Sequence, residues 1–562
     1  MIVLGLVGRP DVKGVHDGAA CLLVDGRVVG ALEQERVSRR RHAPREGPEG
    51  AVVALLDAHG LHPGDVDAIG YAWADAPAGT PAEQGLPIPC GVHRSDAVTA
   101  TILPTIGGQL PTHDIWFFDH HLCHAVGAYC LNPYERADAL VADGWGGDGS
   151  TSLFHVEGGV FRLLERYDRC WSLGMFYGAA SAYANLGWWG GGKLMGLSSY
   201  GRTSDFRFLR FDPSTAAFSL DPSLRHALDG GFDWGRLGRQ WLEIFESCVF
   251  PYTATSANAF DYAPFAADVQ ETLEELGLGL AQRLRSLSGE GALLLSGGVG
   301  LNAHMNRRLA RESGYQRVSG TVAPNDGGTV FGAAFLAASL LGQPLRPLDP
   351  GADPPIFFGP PVTEAQIEGA LGRAGAPARA MEPDDLLKEV AGALAAGKVV
   401  AWFDGRAEFG PRALGARSLL AAPTGRAVLD RLNRAKGRQP WRPAALSLTA
   451  RGFGELGMEP PVPGLSDYML CTHAVGPAES ARAIAGVHVD GTTRGQLVHD
   501  GTGFGALIEA LGDETGLPAV VNTSLNTRGE PMVLSADQAV GMMAEVDEID
   551  LLALPPYLVE RA

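Results

Sequence analysis

The pattern of apolar and polar positions predicts an internal repeat in the first half of the chain. Each copy has a strand-like apolar run, then a strand that ends at a Gly-containing turn, then a second strand that ends in an acidic residue. Glycine adopts positive φ easily, so each pair of strands is predicted to form a hairpin. The first copy comprises Ile2–Val7, Asp17–Gly26 and Arg27–Glu33, and the second comprises Ala139–Ala142, Asp148–Gly159 and Val160–Glu165. The repeat predicts two similar α/β subdomains that face each other.

Helix and strand patterns alternate through the rest of the chain. A long helix is predicted over Ala266–Leu287, before a strand at Ala292–Leu295. Much later, an amphipathic helix is predicted near Pro383–Ala396 and a strand at Val399–Phe403. Alternation of this kind predicts an α/β fold on both sides of the region between them.

A proline-rich segment divides the two regions. Seven prolines between residues 344 and 361 interrupt all regular periodicity, as an inter-domain linker does. A chain of 562 residues is long enough for two large domains. We therefore expect one domain over residues 1–343 and a second over residues 362–562.

Composition and charge disfavour several classes of protein. Apolar residues make up 46% of the chain and charged residues 19%, as in ordinary globular proteins. The net charge of 45 − 64 = −19 disfavours binding to nucleic acid or to an anionic membrane. Seven dispersed cysteines without a CxxC pair indicate reduced thiols. No signal peptide and no apolar run of about 18 residues is recognisable, so we expect a cytoplasmic protein.

Two histidines follow an apolar run in the manner of a metal site. His120 and His124 stand at i and i+4, which places them on one face of a helix. Asp143, at the end of a predicted strand, and Asp326, in a Gly-rich loop, could complete a set that suits iron, manganese or zinc. The alternatives are that the histidines are structural, or that His121 is the ligand instead.

Three Gly-rich turns that follow predicted strands indicate a nucleotide or phosphoanhydride cleft. They span residues 143–150, 296–302 and 325–329. Backbone NH groups in such turns bind phosphate, which makes the following residues candidates: Gly144, Gly297, Gly298 and Asn302. His16 precedes the first hairpin, where a general base could meet a ligand in that cleft. Simple tight turns and a structural turn histidine are the alternatives.

A local excess of positive charge marks the second domain. Residues 404–442 carry nine basic side chains against three acidic ones, a balance of 9 − 3 = +6. The basic residues are Arg406, Arg412, Arg417, Arg426, Arg431, Arg434, Lys436, Arg438 and Arg442. Residues 488–494 and 522–529 add Arg494 and small polar side chains. Such a set favours the binding of phosphates and a nucleotide over a solvated surface.

Five motifs, in this order, resemble a known family. They span residues 119–125, 192–201, 296–302, 405–418 and 522–526, and the resemblance covers nearly the whole chain. The family is the O-carbamoyltransferases of nodulation-factor and antibiotic biosynthesis. The resemblance implies an N-terminal domain of the actin, Hsp70 and sugar-kinase superfold, similar to the tRNA threonylcarbamoyl transferase, and a C-terminal YrdC-like domain.

The resemblance also implies a two-step reaction. The YrdC-like domain would convert carbamoyl phosphate and ATP, with Mg(II), to carbamoyl adenylate. The N-terminal domain would transfer the carbamoyl group to a natural-product alcohol, such as a sugar, macrolide or polyketide hydroxyl. A homodimer is a further expectation, whereas the acceptor itself is not indicated.

Residue roles follow from the same resemblance. His120, His124, Asp143 and Asp326 would hold iron(II) or another divalent metal, and His16 would be the base for the acceptor hydroxyl. Lys436 and Arg438 match a Lys-x-Arg element, and Ser524 and Asn526 match a Ser-x-Asn element. Carbamoyl phosphate and ATP would bind to these residues together with Arg412, Arg417, Arg442 and Arg494. The chain departs from the family at Gln439, which replaces a usual Glu, and at Leu525, which replaces Phe.

Other functions fit the sequence less well. A fused tRNA threonylcarbamoyl enzyme would need a basic surface, and a hydrogenase-maturation carbamoyltransferase would need CxxC zinc modules. An Hsp70-type binding protein would leave the basic cluster unexplained. The aromatic residues between 206 and 255 predict either an apolar wall for the acceptor or packing within an inserted subdomain: Phe218, Phe232, Trp234, Trp241, Phe245, Phe250 and Tyr252.

Overall fold

The computed structural model describes most of the 562 residues. The described ranges are 1–9, 16–73, 92–94, 103–109, 114–147, 149–224, 228, 234–247, 258–499 and 501–561. Helices and β-sheets alternate throughout, so the fold is mixed α/β.

The first sheet contains the first predicted hairpin. Its strands are β1 Ile2–Val7, β2 Ala19–Val24, β3 Arg27–Glu33, β4 Ala68–Tyr71, β5 Val92–Arg94 and β6 Asp114–Phe117. They lie in the order β3-β2-β1-β4-β6-β5. β1 to β3 form an antiparallel meander, and β4 and β6 continue from β1 as parallel strands.

The second sheet repeats this arrangement. Its strands are β7 Arg136–Gly146, β8 Gly149–Glu157, β9 Val160–Tyr167, β12 Ala292–Ser296 and β13 Arg317–Ser319, in the order β13-β12-β7-β8-β9. Again three antiparallel strands form a meander, and two parallel strands continue from its first strand. The predicted repeat is therefore confirmed. β10 Leu209–Asp212 and β11 Ala217–Leu220 form a separate hairpin.

Helices complete the first half of the chain. They are α1 Gln34–Ser38, α2 Glu49–Ala58, α3 His120–Cys130, α4 Leu173–Tyr183, α5 Gly191–Ser198, α6 Trp234–Ser247, α7 Ala263–Ser288, α8 Ala303–Glu312 and α9 Thr329–Leu340. α9 packs on β1 and β4 of the first sheet and on α3, which packs in turn on β7 of the second sheet. The two buried helices thus fill the space between the repeated sheets.

Glycines allow these layers to approach closely. A Cβ added to Gly5 of β1 would lie 2.0 Å from the carbonyl oxygen of Val330, and one added to Gly332 would lie 1.9 Å from that of Cys123. No real Cβ tolerates such distances from a rigid backbone, so both positions require glycine.

The second half of the chain forms a nine-stranded sheet. Its strands are β14 Ala378–Ala380, β15 Val400–Phe403, β16 Arg417–Ala421, β17 Ala445–Leu448, β18 Thr472–Ala474, β19 Thr492–Leu497, β20 Ala519–Ser524, β21 Leu551–Leu554 and β22 Tyr557–Glu560. The order is β14-β22-β21-β15-β16-β20-β17-β19-β18. Successive residues of β15 contribute to two separate cores, so helices cover both faces of the sheet. These helices are α10 Glu364–Ala374, α11 Pro383–Ala395, α12 Arg426–Ala435, α13 Ala450–Glu455, α14 Gly503–Thr515 and α15 Ala536–Glu545.

The predicted elements agree with the structure except at one Gly-rich segment. The long helix, the later amphipathic helix and both associated strands lie within three residues of their predicted limits. The Gly-rich turn predicted over residues 143–150 is shorter in the structure, because β7 continues to Gly146 and β8 begins at Gly149. Gly146 pairs with Gly149, so the chain reverses between these two residues.

The boundary at residues 344–361 stays a prediction. The segment is mostly irregular, and the Ala31 amide donates to the Phe358 carbonyl at 2.9 Å. Among the described residues, we find no helix whose length and apolar character would suffice to cross a bilayer.

Replacement of Gly332 by Ala is expected to destabilise the protein by about 2 kcal/mol or more, because the new methyl group meets the α3 backbone. Gly392→Ala is the matched control, since this helical glycine has nothing within 4 Å of an added Cβ. Alanine there is expected to raise stability by up to about 1 kcal/mol. Thermal unfolding of both variants by circular dichroism tests the pair, and equal effects would contradict the close α3–α9 packing.

Candidate active site

Four predicted metal ligands converge between the repeated sheets. Asp119 caps α3 by accepting a hydrogen bond from the Leu122 amide at 2.8 Å, so the helix begins at His120 and places His124 one turn later on the same face. Asp143 projects from β7, and Asp326 begins the turn before α9. We call His120, His124, Asp143 and Asp326 the His–Asp cluster; one ligand atom from each lies within 4.8 Å of the others.

The imidazoles of the His–Asp cluster have the orientation of metal ligands. Nδ1 of His120 lies 3.0 Å from the Ala72 carbonyl, and Nδ1 of His124 lies 3.0 Å from the Ser296 hydroxyl. The Nε2 atoms point inward, 3.2 and 3.5 Å from the Asp143 carboxylate. Nε2 of His124 is buried without a hydrogen-bond partner. Outer partners on Nδ1 and a free Nε2 suit a divalent cation with nitrogen and oxygen ligands.

The charges within the His–Asp cluster shift the pKa values of its own side chains. Burial opposes a charge on His120, but hydrogen bonds from its ring to Asp143 and Asp326 raise its pKa to about 10. Burial would raise the pKa of the Asp143 carboxyl, but the hydrogen bonds and charges of His120 and His124 hold it well below its usual range. A cation would replace the proton on His120, so its binding should release protons and strengthen as pH rises.

His121 lies outside the cluster. Its Nδ1 is 2.7 Å from the hydroxyl of Ser152 on β8, its Nε2 faces the backbone of Gly146, and it is not among the residues whose ligand atoms converge. Burial lowers the pKa of His121 to about 3. The structure therefore favours His124 over His121 as the second imidazole.

His16 belongs to a hydrogen-bonded group beside the cluster. Its Nδ1 lies 3.1 Å from the Asp17 carboxylate, whose other oxygen lies 2.9 Å from Nδ1 of His42. The Asn325 side-chain amide donates to Asp17 at 3.1 Å and so joins this group to the loop of Asp326. Asp17 has φ of 54°, in the left-handed region that aspartate tolerates better than most residues. Two histidines thus share one buried carboxylate next to the candidate metal ligands.

The Gly-rich turns bind a carboxylate of the protein itself. The amides of Gly144 and Gly298 donate to the same Asp143 oxygen at 2.7 and 3.1 Å. Gly297 has φ of 85°, and a Cβ there would lie 2.2 Å from the Ala142 carbonyl. Asn302 caps α8 through the Met305 amide at 3.0 Å. In this structure, the amides of Gly144 and Gly298 position Asp143, a candidate metal ligand. Binding of a nucleotide by Gly144, Gly297, Gly298 and Asn302 stays a prediction.

A second site lies where the two halves of the chain meet. A cavity of about 110 Å³ is lined by α5 and α8 of the N-terminal half and by residues of the C-terminal half, among them four predicted anion-binding residues: Arg412, Arg438, Arg442 and Arg494. Nε of Arg412 and of Arg494 and Nη2 of Arg438 are buried without hydrogen-bond partners. Burial and the neighbouring positive charges lower the pKa of Arg412 to about 10 and that of Arg438 to about 9. Such a group of cations is expensive to bury unless an anion binds.

Lys436 lies with the two polar residues predicted to accompany it. Its ammonium donates to the Ser524 hydroxyl at 3.0 Å and also to the Asn526 side chain. Burial first, and then the charges of Arg438, Arg41 and Arg442, hold its pKa well below the usual range. Lys436, Ser524 and Asn526 therefore form one unit beside the arginine cavity.

Arg417 does not line this cavity. Its guanidinium donates to the carbonyls of Asp404, Gly405 and Ala416 at 3.0, 3.0 and 2.9 Å, and lies 3.6 Å from the Phe403 ring centre. These contacts support a structural role, and anion binding by Arg417 stays a prediction.

Two cations of this site were missed by sequence reasoning. These cations are Arg41 and Lys193, and both belong to the N-terminal half. Burial is the main reason why the pKa values of Arg412, Arg442 and Lys193 are lowered, and the nearby charge of Arg41 lowers all three further. Lys193 lies in the motif at residues 192–201, but the resemblance assigned this lysine no role. Arg41 ends a run of three arginines. Both signals were present, but nothing local indicated the distant partners.

The described aromatic side chains between residues 206 and 255 mostly pack against other aromatic residues of the N-terminal half. Trp241 and Phe245 are fully buried and stack on each other, with Phe176 4.9 Å from Trp241. Phe218 stacks on Trp171 at 5.7 Å. Phe232, Phe250 and Tyr252 lie outside the described residues, as does the Trp234 side chain. These contacts favour the packing alternative over an acceptor wall.

Comparison with known families covers both halves of the chain. The family model described as the carbamoyltransferase N-terminus matches residues 106–335, and that of the carbamoyltransferase C-terminus matches residues 391–561.

Several curated proteins resemble the chain over nearly its full length. Nodulation protein NolNO of Sinorhizobium fredii is 30% identical over 569 residues, which covers 97% of this chain and 79% of that protein. The 3'-hydroxymethylcephem-O-carbamoyltransferase of Amycolatopsis lactamdurans is 29% identical, with 93% of each chain covered. Nodulation protein U of Rhizobium tropici is 30% identical and covers 92% of this chain and 90% of its own.

His124→Gln is expected to lower bound iron(II) at least tenfold, because it removes one of two inward imidazole nitrogens. His121→Gln is the matched control on the same helix and should retain the metal. Metal content of the proteins after anaerobic loading and desalting measures both. Loss of metal in the His121 variant alone would contradict the assignment of ligands.

Proposed function

The chain belongs to the carbamoyltransferase family and is an O-carbamoyltransferase, and from this premise we propose that it works in two steps at two sites. In the arginine cavity of the C-terminal half, carbamoyl phosphate and ATP form carbamoyl adenylate. In the N-terminal half, the carbamoyl group passes to an alcohol. The proposal rests above all on the arginines of the first site, three of which have a buried side-chain nitrogen without a hydrogen-bond partner.

Adenylation requires the concentrated positive charge of the arginine cavity. Carbamoyl phosphate gives up its phosphate to water, the resulting carbamate oxygen attacks the α-phosphorus of ATP, and pyrophosphate leaves. Each departing group carries negative charge, which fixed guanidinium donors stabilise without reorganisation. Lys436, held by Ser524 and Asn526, supplies an ammonium whose buried position suits contact with a reacting phosphate. Mg(II) would accompany ATP.

Transfer requires a base and a polarised carbonyl. His16 takes the proton of the acceptor hydroxyl, the oxygen bonds to the carbamoyl carbon, and AMP leaves with the bonding electrons. The His–Asp cluster would hold a divalent cation, for which we propose iron(II), and this cation would act as a Lewis acid toward the carbamoyl oxygen. Asp17 favours the required position of His16 through the charge contact of its carboxylate with Nδ1, at 3.1 Å.

The fold supports a finer assignment. The repeated strand order of the two N-terminal sheets is the pattern expected of the actin, Hsp70 and sugar-kinase superfold. We further propose that the C-terminal sheet is YrdC-like and that the domain limits are residues 1–343 and 362–562. The acceptor is proposed to be a small natural-product alcohol, as the name of the cephem relative indicates for that protein.

The two sites can be separated by mutation. Lys436→Ala should lower pyrophosphate release from ATP and carbamoyl phosphate at least a hundredfold, because it removes a buried phosphate-contacting charge. His16→Ala should leave this release intact and stop transfer. Pyrophosphate release without acceptor, with carbamoyl adenylate detected by mass spectrometry, measures the first step.

Lys388→Ala, on the exposed part of α11, is the control and should behave as the wild type. ATP hydrolysis to ADP, or equal loss of both steps in the Lys436 and His16 variants, would overturn the proposed division of labour.

Transfer should depend on pH through His16. Burial opposes its protonation, but Asp17 and the carboxylates of the His–Asp cluster raise its pKa to about 9. Only the neutral ring can accept a proton, so the transfer rate should rise with pH through that region. Asp17→Asn removes a negative charge that favours the protonated His16 ring, so the pKa of His16 should fall. The rise of the transfer rate with pH should then occur at lower pH. The maximal rate should also be lower, because Asp17 no longer orients the ring. Single-turnover transfer rates against pH test this, and an unmoved limb would contradict it.

A further inference from the structure

Two adjacent tryptophans face different surroundings beside the transfer site. They occupy a turn that the Gly190 amide closes by donating to the Gly187 carbonyl at 2.9 Å. Trp188 packs into the fold, where a Cβ added to Gly238 would lie only 2.8 Å from its ring. Trp189 has 56% of its surface exposed. Exposure of a single indole is common, so what distinguishes Trp189 is its place beside the proposed base.

The position of Trp189 is fixed by the group that contains the proposed base. Its ring centre lies 4.2 Å from that of His16, edge to face, and 5.3 Å from that of His42, nearly parallel. His42 is hydrogen-bonded to Asp17 and Nδ1 of His16 lies 3.1 Å from the same carboxylate, so the indole packs on two rings that Asp17 holds side by side. The indole therefore lies against the ring that would take the acceptor's proton.

We propose that Trp189 is the platform on which the acceptor binds, and that the acceptor is an alcohol carried on a ring with an apolar face, such as a sugar. The proposal rests on the proposed function, since it takes His16 as the base. A flat indole contacts the C–H face of such a ring over a broad area and leaves the hydroxyl at the rim, toward His16. A flexible acyclic alcohol covers less of the indole and loses more rotational freedom on binding.

Binding is tested directly with model acceptors. Saturation-transfer NMR on the wild type should show signal on the ring C–H protons of methyl β-D-glucopyranoside and far less on glycerol. Trp189→Ala should lower the ring signal about tenfold and Trp189→Phe should retain part of it, as expected for lost stacking area. Val160→Ala, at a similarly exposed residue of the β8–β9 hairpin, should leave it unchanged. Absence of a ring signal in the wild type, or its full retention in Trp189→Ala, would overturn the proposal.

Kinetics separate this inference from the proposed function. For any ring alcohol that the wild type carbamoylates, Trp189→Ala should raise KM about tenfold relative to Val160→Ala, with a smaller change in kcat. Equal KM values in these two variants would overturn the platform. Failure of the wild type to release pyrophosphate with carbamoyl phosphate would instead overturn the adenylation step, while the NMR result would still decide the role of Trp189.

Discussion

The buried carboxylate of Asp143 is the interaction around which the N-terminal half is arranged. A carboxylate that is 5% exposed must have its charge balanced, and here two backbone amides and two imidazoles surround it. The amides come from β7 and from the turn after β12, and the imidazoles come from α3. Misplacement of any one of these elements would leave a charge unbalanced, so α3 and the neighbouring strands β7 and β12 of the second sheet are held in one arrangement.

The second site has the opposite problem, since it concentrates positive charge. Its guanidiniums come from the C-terminal half, one from β19 and the others from connecting segments, yet part of its wall is α5 of the N-terminal half. The α1 region fixes the two halves together: Arg36 donates to the Gly410 carbonyl at 2.7 Å, and Arg39 donates to the Pro531 and Met532 carbonyls at 2.9 and 2.6 Å. The next residues are Arg41, which adds charge to the cation site, and His42, which binds Asp17. One short segment therefore contributes to both sites, and movement between the halves would disturb both.

Much of the fold could be predicted because its signals are local. The hairpins at residues 19–33 and 149–167 follow from alternating apolar strands around glycine turns, and α7 follows from one long periodic pattern. The cluster of His120 and His124 could be predicted from helical spacing. The turn predicted over residues 143–150 was too long, because β7 continues to Gly146 and the pairing of Gly146 with Gly149 is not encoded by glycine content alone.

The remaining parts of the sites depend on contacts that local sequence does not encode. Spacing alone left His121 as a candidate ligand, and only the hydroxyl of Ser152, on a strand of the second sheet, turns its ring away from the cluster. Arg417 and Arg412 look equivalent in sequence, but backbone carbonyls bind one guanidinium, whereas the other faces a cavity with its Nε unpaired. Trp188 and Trp189 are neighbours in one Gly-rich turn, and the tertiary fold alone decides which indole packs inside and which meets the histidines. Charge and residue type indicate what chemistry a chain can perform, and packing selects the members of each set that perform it.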